Sequence, residues 1–526
     1  MILGIKWQKR LAFILAAVLF AIVAVYYLCE EKSNCMGVSI VSEDKLEYLA
    51  DYKDIDLDGQ IMHMDMPVAM DNATRTIYIS QNLDGKSFYT DMEGVLTTSQ
   101  GYPMYFIRED AFDSFAQSVA EGHSFSLLVE LSENTYTQYS VVFTNLPVVR
   151  VTGEKAYVNY DKRSVYDGDI TVWIPEYEKA GKYSVQHSSV EWHRRGGSTF
   201  MDDKKSWKLA LKNEDGTNNN LDFLGLEEGD DDWILNAIHR DDTKIREKFV
   251  MDIWNRYCET ASYNYKMSTG RYVEVVNNGQ YWGLYLLQRR VDGKYLELDD
   301  EILLKSIKRA EQLPIEFFYD IVYPKVEATE RDDPNTDNLS EDEKRIYGLI
   351  EPFHREEYGN LLDIDNWMDV SLMIDFGYMA DNSGQKNIFY LMENISDDMK
   401  IKMVLWDTDF SFGIDTGKTF VHKPEGVTEN RRYRTEEDYL RTVYPQLDKM
   451  LAERWFEMRG SIFDKENIYS VISDNYENIT RCGAFDREKA LWGNYYEGGT
   501  DTIDTIYEHI DLRLEFLDKY HREILQ

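Results

Sequence analysis

An α+β fold is predicted by three features of the chain. From Leu146 to Leu287, short β-branched and aromatic runs alternate with turn residues, which reads as a strand-rich half. From Leu361 to the C-terminus, apolar residues recur at helical spacing. Within that helical half, one β-hairpin (Ile388 to Met392 and Ile401 to Leu405) interrupts the pattern and carries the most chemistry.

The start of one antiparallel strand lies beside the end of its partner, with neighbouring strands about 5 Å apart. Asp381 and Asn387, ahead of the first hairpin strand, are therefore expected beside Asp407 and Asp409, just after the second. Three carboxylates and a carboxamide at one strand end form a hard-oxygen site of the kind that suits Mg²⁺ or Mn²⁺. The order of parts is also that of a kinase active site: an Asp-bearing loop with a downstream Asn, a hairpin, then an Asp-bearing loop ending in Gly413. A lone Asp-x-Asp would serve turns just as well. Two acidic loops joined by a hairpin favour a site.

At 526 residues the chain has room for two or three domains. Lys and Arg number 58 against 95 Asp and Glu, a net charge of -37. That balance argues strongly against sequence-independent binding of nucleic acid or anionic lipid surfaces, and any phosphate must be neutralised locally. Lys6, Lys9 and Arg10 precede a charge-free run from Leu11 to Leu28, which reaches the lower limit for a spanning helix. No small-x-small cleavage site follows it. An uncleaved single-pass anchor in the cell membrane is expected, with the N-terminus inside and the body extracytoplasmic. Four cysteines, Cys29, Cys35, Cys258 and Cys482, are too few for a disulfide scaffold, and Cys258 reads as a buried small hydrophobe. The expected division is 1–32 stub and anchor, 33–144 β-rich accessory region, and 145–526 main domain, with an acidic insertion at about 311–356.

In chain order, strands are expected at Thr76 to Ser80, Ser124 to Leu131 and Tyr136 to Phe143, with a helix near Glu109 to Glu121. This accessory region carries no recognisable chemistry, and its position alone makes it membrane-proximal. Leu146 to Val151 starts the core, followed by strands at Asp169 to Ile174, Ser184 to Trp192 and Ser206 to Lys212. In the last of these, Trp207, Leu209 and Leu211 share one face and Lys208 and Lys212 the other. Ile245, Phe249, Ile253, Trp254 and Tyr257 mark a helix. Arg271 to Val276 and Tyr281 to Leu287 form a hairpin about Asn278-Gly279. Pro314, Pro324 and Pro334 interrupt the acidic insertion, whose centre, Asp332 to Asp337, reads as surface. Apolar residues resume from Leu361 to Met379, and further helices are expected at Glu436 to Arg459, Asn467 to Ile479 and Thr502 to Tyr520.

One basic cluster stands out in this acidic chain. Arg195 with Lys204, Lys205 and Lys208 supplies what a polyphosphate needs, although a lysine-guarded edge strand reads the same way.

These segments together resemble the CotH family of spore-coat and secreted atypical protein kinases. The matching residues are Leu146-Pro147-Val148-Val149, Arg195-Gly196 with Ser198, Lys204-Lys205-Ser206-Trp207-Lys208, Asp232-Trp233 with Leu235, Asn278-Gly279 to Tyr285-Leu286, Asp381 to Asn387, and Trp406-Asp407-Thr408-Asp409-Phe410-Ser411-Phe412-Gly413. The resemblance covers roughly residues 145 to 520. It implies a divergent protein-kinase-like fold, with a β-rich N-lobe and a helical C-lobe, that transfers the γ-phosphate of ATP to Ser or Thr of envelope or secreted proteins with Mg²⁺ or Mn²⁺. Asp381 would be the catalytic residue, Asp407 the metal ligand, and Asn387 and Asp409 supporting ligands. Arg195 with Lys205 or Lys208 would hold the ATP phosphates. Gln288 stands where the family usually has Glu, and the interval from Asp381 to Asn387 is one residue longer than usual. A non-catalytic envelope-binding or structural protein of the same fold is the alternative. A binuclear hydrolase is disfavoured, because none of the nine histidines stands beside the acidic loops.

Overall fold

The computed structural model describes residues 34–42, 51–53, 55–133, 135–153, 164–175, 184–225, 229–306, 319–325, 339–354, 361–379, 381–382, 387–394, 398–414, 440–496 and 499–526. The architecture is mixed α+β. Seven strands close into a barrel: β1 (Val148–Gly153), β2 (Tyr166–Ile174), β3 (Ser184–Arg195), β4 (Ser206–Lys212), β5 (Asp232–Asn236), β6 (Gly270–Asn277) and β7 (Gln280–Arg289). Their order is β1-β2-β3-β4-β5-β7-β6, and parallel pairing of β6 with β1 completes the ring. Strand alternation fills the interior: Trp207, Leu209 and Leu211 of β4 meet Trp192 of β3, Trp233 of β5, and Trp282 and Tyr285 of β7. Lys208 and Lys212 fall on the opposite parity, as a period of two requires. The Asn-Gly turn forms where predicted. Asn277 pairs with Gln280, and both Asn278 and Gly279 are left-handed (φ 46° and 72°), the backbone that a two-residue hairpin turn demands.

One helix, α1 (Arg246–Ala261), lies between β5 and β6 and buries Phe249, Ile253, Trp254 and Cys258. Beyond the barrel, a second sheet contains β8 (Ile302–Ser306), β9 (Tyr319–Tyr323), β10 (Ile388–Glu393) and β11 (Lys400–Leu405), in the order β9-β8-β10-β11. The predicted hairpin is β10–β11, with Ile388 opposite Leu405. The helices of this half are α2 (Glu341–His354), α3 (Ile364–Gly377), which packs on β11, α4 (Leu447–Arg459), α5 (Lys465–Thr480), which packs on α1, α6 (Ala484–Trp492), which packs on β7 of the barrel, and α7 (Ile503–Leu525), which packs on α4. Helix α7 buries Ile506, Ile510, Leu514 and Leu517, a stripe at three- and four-residue spacing.

Ahead of the barrel is an eight-stranded sheet. Its strands Thr76–Ser80, Phe125–Ser132 and Thr135–Thr144 lie within a residue of their predicted places. The ring of Phe88 stacks on Phe112 at 4.0 Å and meets Phe125 at 5.3 Å. This sheet leans on the barrel through Tyr78, stacked on Tyr281 at 4.4 Å. It reaches α5 through Asn145 Nδ2, which donates to Asn478 Oδ1 at 2.8 Å.

Three expected elements differ. The helix over Glu109 to Glu121 is split into a 3₁₀ turn, Asp110–Phe112, and a short helix, Phe115–Ala120. Asp113 and Ser114 compete with the helical backbone there, and the break lets Phe112 and Phe115 both reach Phe88. The helix over Glu436 to Arg459 is broken before Leu447, where Pro445 removes a backbone donor and restricts the preceding residue; residues 436–439 lie outside the described residues. The acidic insertion is structured at both sides. It supplies β9, and it supplies α2 with Ile346, Tyr347 and Ile350 buried; its centre at Asp332 to Asp337 lies outside the described residues. The apolar run from Leu11 to Leu28 also lies outside them. Among the described residues, no helix is long and apolar enough to cross a membrane. Cys258 is buried and unpaired, as expected.

Helix α5 is capped by Asp464, whose side chain accepts from the Asn467 amide at 3.0 Å. Asp464→Ala should cost about 1 kcal/mol of local stability. The check is amide exchange at Asn467, expected to quicken about fivefold, since ~1.4 kcal/mol is a factor of ten.

Candidate active site

The site is assembled by loop ends that hydrogen bonds tie together. Helix α3 stops at Tyr378, which is left-handed (φ 49°), and the Gly377 carbonyl accepts from the Phe412 amide at 2.8 Å. The chain then reaches Asp381 and Asn382. Trp406, following β11, donates its amide to the Asn387 carbonyl at 3.1 Å. Asn382 fastens both loops from behind: its Nδ2 donates to the carbonyls of Asn387 (3.2 Å) and Trp406 (2.8 Å). Asn387 and Asp407 are left-handed (φ 59° and 55°), a conformation that Asn and Asp tolerate better than most residues. Both residues turn the chain out of the sheet at the same edge.

A cleft of about 390 Å³ opens at that edge, against the ends of β3, β4 and β5. Five of the seven residues singled out from the sequence line it: Arg195, Asp381, Asn387, Asp407 and Asp409. The longer interval does bring the Asn to its Asp, because Asn387 Nδ2 donates to Asp381 Oδ2 at 2.7 Å. Burial, then the charges of Asp407, Glu247 and Asp381, push the Asp409 carboxyl well above the ordinary carboxylate range. Such a surplus of negative charge, presented on oxygen donors only, fits a divalent cation of the Mg²⁺ class. No preformed cage of three such side chains exists among the described residues. Mg²⁺ does not require one, since it is commonly held by one or two carboxylates plus phosphate oxygens.

The basic residues are sorted differently from the sequence expectation. Lys205 and Lys208 do not line the cleft. Lys205 turns back on its own loop and donates to the carbonyls of Phe200 (3.1 Å) and Asp202. Lys208 sits on the outer parity of β4 and pairs with Asp232 at 3.2 Å. Lys204 lines the cleft but is committed elsewhere: it is buried, donates to the Leu284 carbonyl, and pairs with Glu488 of α6 at 2.7 Å.

Lys305 of β8 takes the place the lysine pair was expected to fill. It lines the cleft with Arg195, and both cations lie over the indole of Trp406, each at 5.4 Å, within cation–π range. Among the described residues, neither makes a hydrogen bond or ion pair. Burial first, then Arg195, brings the Lys305 ammonium down to about 8. Burial also lowers Arg195, while Asp407 opposes the shift.

A carboxylate also escaped the sequence reading. Glu247 in the first turn of α1 accepts from the Thr408 amide at 2.6 Å and the Thr408 hydroxyl at 3.1 Å. Burial, then Asp407, raises it to about 8. Its neighbour Arg246 was also missed; it donates to the carbonyls of Ser411 (2.9 Å) and Phe412 (3.2 Å). The only sequence signal for either was a charged pair opening an apolar helix.

A family model described as CotH kinase protein matches residues 193–517, more than half of the chain. The chain belongs to the CotH family. No curated protein matches it. The CotH match begins at His193 on β3, inside the barrel, and ends within α7, so it takes in every cleft residue named above. The N-terminal sheet lies outside it. Gln288 is buried in β7, and its Oε1 accepts from Asn236 Nδ2 at 3.3 Å.

Proposed function

We propose that this CotH protein is a metal-dependent protein kinase that transfers the γ-phosphate of ATP to Ser or Thr of envelope or secreted proteins. In this reading it works outside the membrane, held there by the apolar run at residues 11–28. The observation that carries the reading is the meeting of two acidic loops, Asp381 with Asn387 and Asp407 with Asp409, in one cleft with Arg195 and Lys305. A bound Mg²⁺ or Mn²⁺ would neutralise phosphate charge at this wall.

The chain's own residues divide the remaining work. Asp407 and Asp409, supported by Asn387, offer the oxygen ligands. Arg195 and Lys305 offer donors to phosphate oxygens across the cleft, replacing the attraction that a net charge of -37 denies. Asp381 is steadied by the Asn387 amide at one oxygen, and it orients the acceptor hydroxyl and takes its proton. Gln288 leaves the buried wall of β7 without the charge a Glu would bring.

The test is incorporation of label from γ-labelled ATP by the full-length protein with Mn²⁺, into itself and into a Ser/Thr peptide library, beside Asp381→Asn. Incorporation that depends on Mn²⁺ and is lost in Asp381→Asn is expected. Metal-dependent nucleotide binding without transfer would instead favour the non-catalytic envelope-protein reading.

A further inference from the structure

We propose that Glu247 is a positioning residue for the metal-holding loop, acting through Thr408; the inference rests on the reading of Asp407 and Asp409 as metal ligands. Glu247 is 2% exposed and stands behind the cleft rather than in its wall. Both hydrogen-bond donors of Thr408 end on its Oε2, the amide at 2.6 Å and the hydroxyl at 3.1 Å. Thr408 separates the two ligand residues, and its amide shares a peptide plane with the Asp407 carbonyl. Fixing that plane fixes the turn by which Asp407 leaves β11 in a left-handed conformation (φ 55°), which residues other than glycine rarely hold unaided.

The adjacent Arg246 holds the far end of the same loop. Its guanidinium donates to the Ser411 and Phe412 carbonyls and is itself fixed by Asp241 at 2.6 Å and Asp501 at 2.7 Å. Two consecutive side chains in one helical turn therefore grip both ends of loop 407–412. What the site requires of residue 247 is an acceptor at a fixed point. A Gln can supply that acceptor and a Leu cannot.

Mn²⁺ titration by calorimetry of the full-length protein, in the presence of a saturating non-hydrolysable ATP analogue that supplies the phosphate oxygens, tests this beside thermal unfolding of each variant. Glu247→Leu should bind Mn²⁺ roughly 10- to 100-fold more weakly, whereas Glu247→Gln should stay within about threefold of wild type, as for groups that orient ligands from behind. Amide exchange at Thr408 should quicken in Glu247→Leu and not in Glu247→Gln. A folded Glu247→Leu that binds Mn²⁺ as tightly as wild type overturns the proposal, and so does a Glu247→Gln as weak as the Leu variant. Should Glu247→Leu fail to fold, Thr408→Val decides: it removes only the hydroxyl bond and should weaken Mn²⁺ binding about three- to tenfold, with unchanged affinity counting against the proposal. A wild type that takes up no Mn²⁺ overturns the metal reading itself, an outcome distinct from variants that merely match a binding wild type.

Discussion

Asp407→Asn is expected to abolish Mn²⁺-dependent nucleotide binding, while Asp381→Asn keeps that binding and slows phosphate transfer by roughly 10²- to 10⁴-fold. The two carboxylates line one cleft, yet they do different things to a triphosphate. Asp407 is repulsive to phosphate unless a cation lies between them, so its contribution to nucleotide affinity is made wholly through the metal. In the proposed mechanism Asp381 acts on the acceptor hydroxyl, which is absent when nucleotide binds alone. Removing its charge also relieves the crowding that raises Asp409, so nucleotide affinity in Asp381→Asn should be unchanged or slightly higher. The Asn387 amide keeps an acceptor in Asp381→Asn, because the new carboxamide oxygen can replace the carboxylate oxygen at 2.7 Å. Calorimetric titration of ATP with Mn²⁺, paired with single-turnover transfer, separates the roles. Equal losses of affinity in the two variants would reject them.

How much of this was legible in the sequence depended on how local the determinants were. The hairpin strands differ from their expected bounds by one residue each, because β-branched and aromatic runs flanked by turn formers fix both strand and register. That register places Asp381, Asn387, Asp407 and Asp409 at one edge with no further information. The parity of β4 was equally local and put Lys208 on the outer face. Parity is silent about Lys204 and Lys205, which precede the strand. Lys205 folds onto carbonyls of its own loop, while Lys204 goes to Glu488, 284 residues away. Lys305 was hidden for a related reason. Its strand is five residues long in charged sequence, and it borders the cleft only because β8 pairs with β10. Glu247 and Asn382 reach the site through contacts across the fold or across a turn, and no periodicity announces such contacts.

Lys305→Ala should weaken ATP binding by about 1 to 3 kcal/mol, as for a hydrogen bond to a charged group. Arg195→Ala should do the same, whereas Lys208→Ala should leave affinity within about a few tenths of a kcal/mol, because Lys208 lies outside the cleft. The ranking follows from commitment. Lys208 is held by Asp232 outside the cleft, whereas Arg195 and Lys305 rest on the two-sided attraction of Trp406 and Asp407, with their side-chain hydrogen-bonding capacity unspent among the described residues. The pH dependence identifies which cation acts. Lys305 is depressed to about 8, so it is charged below that pH and loses its charge as pH rises through it. A polyphosphate binds the charged form, so affinity should be level below pH 8 and fall above it. Lys204 is also brought down to about 8, but its ammonium is already satisfied by Glu488 and the Leu284 carbonyl. If Lys305 is the phosphate ligand, Lys305→Ala loses the alkaline fall along with the affinity. A fall that persists undiminished in Lys305→Ala would transfer the role to Lys204 and make the Lys305 ammonium a bystander of the Trp406 ring.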